Sequence, residues 1–67
     1  VKAFEASRVT PLLATDRDLM ERWKKAAAEE KLIARSKDGK NWVIVLDEAL
    51  VETLAARGLS AVEWGEA

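Results

Sequence analysis

The sequence predicts a single small α+β domain over residues 1–67: an antiparallel sheet built on a central hairpin at 31–46, with two helices at about 15–30 and 47–57 packed on it. Three observations predict this. Asp38-Gly39 stands between two apolar runs, which is the favoured pair for a two-residue type I′ turn. Leu19, Met20, Trp23, Ala26 and Ala27 recur at helical spacing behind Thr15. Gly58 closes an apolar segment that Asp47 opens.

The first residues, Val1-Lys2-Ala3-Phe4-Glu5-Ala6, alternate loosely and predict a short edge strand that Pro11 ends or follows. Thr15 is the expected N-cap of the first helix, with Asp18 three residues on in the manner of a capping box. Asp16 and Asp18 in the first turn suit the helix dipole. The outward face carries both signs of charge, with Asp18 and Arg22 one turn apart.

The turn sets the hairpin register. Lys37 faces Lys40, Arg35 faces Trp42, Ala34 faces Val43, Ile33 faces Ile44 and Leu32 faces Val45. One side of the hairpin shows Ile33, Ile44 and the Arg35–Trp42 pair, and the other shows Leu32, Ala34, Val43 and Val45. Both sides are apolar, the mark of a strand covered twice. Two helices on one side leave the second side needing a cover, and a homodimer through the sheet or through Trp64 is the expected remedy. Leu50, Val51 and Leu54 face inward from the second helix, and Leu59 is placed to pack back on Leu54 after Gly58. Ser60 to Trp64 is the expected last strand, with Val62 and Trp64 on one side.

Composition bounds the function. A chain of 67 residues has one core and buries about 60% of its unfolded surface. Chains this small usually add a disulfide, a metal or a subunit. Cysteine and histidine are both absent, which excludes disulfides and thiolate metal sites and removes the commonest general base. Paired carboxylates occur at Asp16/Asp18 and at Asp47/Glu48/Glu52, all where first-turn acids belong. No Ser-x-x-Lys is present, and three scattered glycines make no phosphate-binding loop. No enzyme activity and no cofactor are expected. The longest apolar run, Trp42 to Leu46, is far short of a membrane span. Val1 to Ser7 shows no signal-peptide core, so a cytoplasmic location is the default expectation.

Charge is unevenly spread. Residues 17–40 sum to +3 and residues 41–67 to −4. The expected function is therefore binding. A non-enzymatic protein–protein interaction module, acting as a small regulator, inhibitor or accessory subunit of a larger protein, is the first reading. Its docking surface is either the acidic C-terminal third (Glu48, Glu52, Glu63 and Glu66 around Trp64) or the open sheet face.

The second reading is nucleic-acid binding by the basic hairpin, through Arg35, Lys37, Lys40 and Asn41 beside Trp42. Arg22-Trp23, then Lys37-Asp38-Gly39-Lys40-Asn41-Trp42, then Asp47-Glu48-Ala49-Leu50 resemble small excisionase-type and MerR-type DNA-binding domains over about half the chain. That resemblance implies a winged-helix-like fold whose hairpin lies along the phosphate backbone. It also requires a helix ahead of the groove-entering one, and residues 7–14, with Pro11 among them, read as too short to supply it. The simpler role for Lys37 and Lys40 is to keep the hairpin tip soluble and its edge unpaired.

Overall fold

In the computed structural model residues 1–65 are described, and Glu66 lies outside them. The elements run β1 (Lys2–Glu5), α1 (Ala6–Thr15), α2 (Arg17–Ala28), β2 (Leu32–Lys37), β3 (Lys40–Val45), α3 (Glu48–Ala56) and β4 (Val62–Glu63). The four strands form one sheet in the order β2-β3-β1-β4, with every pair antiparallel.

The hairpin has the expected register from Lys37↔Lys40 to Leu32↔Val45. Asp38 and Gly39 both have positive φ, 54° and 74°, as a type I′ turn demands. The start of the chain differs from expectation in two ways. The expected edge strand is an inner strand: β1 lies between β3 and β4, with Ala3 opposite Ile44 and Phe4 opposite Val43. Residues 7–14, read as too short to supply a helix, instead belong to the helix α1, and Pro11 lies inside it. Pro11 has no N–H to donate to the Ser7 carbonyl, yet burial of Val9, with Leu12 and Leu13 packed on the core, holds the helix.

This third helix moves the start of α2. Thr15 is the last residue of α1, and Asp16 caps α2 by accepting from the Leu19 N–H at 3.1 Å. The Asp16 carboxylate also accepts from the Arg57 guanidinium, so one side chain ties the α1–α2 junction to the end of α3. Asp47 caps α3 as expected, accepting from Ala49 N at 3.0 Å and Leu50 N at 3.4 Å.

Arg57 and the Leu19 amide hold the Asp16 carboxyl below its ordinary value. Such a group stabilises the fold fully above the unfolded carboxyl pKa of about 3.9, and that contribution is lost as pH falls through the lowered folded value. Melting temperature measured from neutral to acid pH should therefore fall further for the native protein than for Asp16→Asn. Parallel curves would contradict this.

Two helices end in the same pattern with different residues. After α3, Gly58 (φ 92°) donates to the Ala55 carbonyl and Leu59 donates to Leu54. After α2, Glu30 takes the left-handed position (φ 59°), donating to Ala27 while Lys31 donates to Ala26. A side chain in that conformation costs about 1 kcal/mol that glycine avoids. Glu30→Gly is expected to raise the unfolding free energy by about 0.5–1 kcal/mol in urea titration.

All three helices pack on one face of the sheet. Val9 of α1, Leu19 and Ala26 of α2, and Leu50 and Leu54 of α3 are buried against Phe4 and Val45. The opposite face carries a separate cluster of Ala3, Ile44 and Trp64, with Ile33 and Trp42 packed beside it. No helix residue belongs to that second cluster. The cover that the second face needed comes in part from the chain itself, through Trp64. The last strand is shorter than the expected Ser60 to Trp64, and the Trp64 N–H continues the ladder by donating to the Val1 carbonyl at 2.8 Å.

Candidate functional site

The helix-free face is built by register. Side chains alternate across a strand, so Ala3, Glu5, Ile33, Arg35, Lys37, Lys40, Trp42 and Ile44 share this face. Continued by one residue, the same alternation brings Val1, Leu46 and Val62 to it. These three are the large apolar side chains left most exposed among the described residues, at 41%, 40% and 40%. The face therefore has an apolar floor of Ile33, Ile44 and Ala3, two indoles, and an exposed apolar margin.

Trp64 is 9% exposed and lies over that floor. Its ring centroid is 6.1 Å from that of Trp42 at a tilt of 48°, within the favourable range for aromatic pairs. The Lys37 ammonium sits 5.3 Å from the Trp64 ring centre, a cation–π contact. The Trp42 indole N–H reaches the Lys37 carbonyl at 3.4 Å. Lys40 pairs with Glu5 at 3.3 Å. The Ser7 hydroxyl, followed by Lys40, holds the Glu5 carboxyl below its ordinary value. Arg35 donates through Nη1 to the Ala34 carbonyl at 2.9 Å. Arg35, Lys37 and Lys40 thus give the hairpin end of this face a basic rim.

The structure separates the residues of each expected surface. Arg35, Lys37 and Lys40 lie together on the helix-free face, whereas Asn41 points to the helical side, where the Ser36 hydroxyl lies 3.3 Å from its amide oxygen. Glu63 and Trp64 likewise point to opposite sides. Glu63 pairs with Lys2 at 2.8 Å and with the Val1 ammonium at 3.2 Å. Lys2, followed by the terminal ammonium, draws the Glu63 carboxyl below its ordinary value. The same pairing, helped by Glu48, raises Lys2. Glu48 and Glu52 are exposed on α3, on the helical side. Among the described residues, Glu48, Glu52 and Glu63 therefore form no common patch with Trp64.

Sequence reasoning missed Val1, Leu46 and Val62 as surface residues and missed the Arg35 bond to the strand edge. Alternation alone could have found the first three, given the pairing of β1 with β3 and β4.

Several polar side chains are engaged locally. Asp16 and Asp47 cap helices. The Thr10 and Thr53 hydroxyls donate to carbonyls one turn back, and that of Ser7 donates to Glu5. Among the described residues no group of three or more carboxylates is placed to hold a metal ion, and no helix is long and apolar enough to cross a membrane. An open groove of about 480 Å³ between α2 and the start of α3 is lined by Asp18, Glu21, Arg22, Lys25 and Glu29, a surface of mixed charge. No protein-family model matches the chain, and no curated protein or solved structure matches it.

Proposed function

We propose that the chain is a cytoplasmic, non-enzymatic protein-interaction module that docks a larger protein on the helix-free face of its sheet. One observation carries this reading. The exposed large apolar residues Val1, Leu46 and Val62 all register to the single face that no helix covers. Scattered exposed apolar residues need no explanation, but grouped ones mark interaction surfaces. The rim of Arg35, Lys37 and Lys40 gives the surface a sign, so the partner that fits is apolar at its centre and acidic at one margin.

Site-specific photo-cross-linking tests this. A photoreactive phenylalanine analogue is placed at Leu46, at Val62 or at Glu52 of α3, and the protein is irradiated in the cell. The reading expects a discrete adduct with a larger protein from Leu46 and Val62, and none from Glu52. Adducts from Glu52 alone would overturn it. Adducts at twice the mass of the chain would replace the larger partner with a second copy, the homodimer that an uncovered sheet face also allows.

A DNA-binding reading is favoured by a different observation. The helix α1 stands ahead of α2 and the basic hairpin, and so supplies the helix that the excisionase-type and MerR-type resemblance required. Against it, α2 is acidic as well as basic on its outer face, and Asp18 there is paired with Arg22 at 3.0 Å. Fluorescence anisotropy of a mixed-sequence duplex separates the readings. Saturable binding that weakens steeply with salt supports DNA, because phosphate contacts release counterions. No binding at low salt removes it.

A further inference from the structure

We infer that β2 is a strand-addition edge, and that an acidic extended segment of the partner docks on it by displacing the Arg35 side chain. This rests on the protein-binding reading above and names the partner's chemistry. β2 has β3 on one side and, among the described residues, no strand on the other. The opposite edge, β4, is only two residues long. The type I′ turn makes Lys37↔Lys40 a hydrogen-bonded pair, so Lys37, Arg35 and Ile33 bond to β3. Leu32, Ala34 and Ser36 therefore direct their N–H and C=O groups outward. The Leu46 N–H to Lys31 carbonyl bond at 2.8 Å has the same phase. From Leu32 to Ser36 the edge offers about 13 Å of backbone, enough for a short added strand.

Arg35 occupies this edge, since its guanidinium holds the outward carbonyl of Ala34 at 2.9 Å. Guarding an edge with a cation is a common protection against unwanted pairing. Here the guard also selects. Residues 31–37 carry Lys31, Arg35 and Lys37 and no acid. An added strand sets its side chains about 5 Å from those of β2. The complement is a segment with carboxylates two residues apart, opposite Arg35 and Lys37, followed by an apolar residue opposite Ile33. The first carboxylate takes the guanidinium as a two-pronged pair and frees the Ala34 carbonyl for the new ladder. A basic segment meets repulsion instead. So does a second copy of β2, which brings Arg35 and Lys37 of the two strands together with no acid on either.

The probes are two capped eight-residue peptides, each with two like charges two residues apart and a valine two residues further on, the charges being glutamates in one and lysines in the other. The readout is amide hydrogen exchange of the isotope-labelled full chain by NMR. The glutamate peptide is expected to slow exchange at Leu32, Ala34 and Ser36 by about tenfold or more, as ladder formation protects amides. The lysine peptide is expected to leave them unchanged. The double variant Arg35→Glu, Lys37→Glu should reverse the preference. Ala34→Pro should abolish protection by either peptide while leaving the β3 pairing, since the N–H it loses points outward. Equal response to both peptides, or protection confined to β4, overturns the inference. Cross-links from Leu46 and Val62 with no response to the glutamate peptide leave the face reading standing and overturn the edge.

Discussion

Phe4→Ala is expected to leave little folded protein at room temperature. Phe4 is 1% exposed and belongs to β1, an inner strand of the sheet. Its side chain joins Val45 in the cluster to which all three helices contribute. Truncating a fully buried phenylalanine costs about 3–5 kcal/mol, from lost transfer energy and the cavity left behind. A domain of this size has only about 3–10 kcal/mol in total. No disulfide is available to offset the loss. Far-UV circular dichroism with urea titration reads the result. A variant that keeps its unfolding midpoint would show that the three helices do not share one core through Phe4.

Trp64→Ala is expected to give a smaller loss and a different product. Trp64 stacks over Ala3 and Ile44 from the end of the chain, with Lys37 above its ring. The loss is set at about 2–3 kcal/mol, below the usual range for a buried indole, because the site opens to water rather than leaving a sealed cavity. Its removal also uncovers the apolar floor of the helix-free face. Sedimentation should then show concentration-dependent self-association in the variant beyond that of the native protein. A destabilised variant that sediments as the native protein does would mean that Trp64 only packs and screens nothing. Together the two substitutions separate the faces of the sheet: one abolishes the fold, the other exposes a surface.

The sequence made legible what local chemistry determines. Asp38-Gly39 dictated the hairpin register, and alternation then sorted Ile33 and Ile44 from Leu32, Val43 and Val45. The caps and stripes of α2 and α3 were equally local, to within a residue or two at each end. What was not legible depended on distant pairing. Val9, Thr10 and Thr15 are weak helix formers and Pro11 is a breaker, so α1 has no convincing local signal and is held by the core it helps to build. The inner position of β1 arises from its pairing with residues 42–45 and 62–63, which no local pattern announces. Ser60 to Trp64 reads as a strand from sequence, but which face of the sheet Trp64 covers follows only from that pairing.

The candidate surfaces show the same division. Grouping Asn41 with Lys40, or Glu63 with Trp64, follows sequence proximity, but neighbours on a strand point to opposite faces. Glu48, Glu52 and Glu63, expected to surround Trp64, therefore lie on the helical side. What remains on the helix-free face is apolar with a rim that is basic on balance, Glu5 pairing with Lys40 there, so the expected partner is acidic.

The most direct test uses the larger protein captured by cross-linking from Leu46 or Val62, once purified. Its affinity is measured for the native chain, for Leu46→Glu with Val62→Glu, and for Glu48→Lys with Glu52→Lys. Both acid-introducing changes fall at exposed positions, so the fold should survive them. Docking on the helix-free face predicts that the first pair loses binding by about a hundredfold or more, since each change puts a charge on apolar surface that docking takes out of water. The α3 pair should bind as the native chain does. Loss with the α3 pair and retention with the first would contradict the account and return the acidic helix to first place.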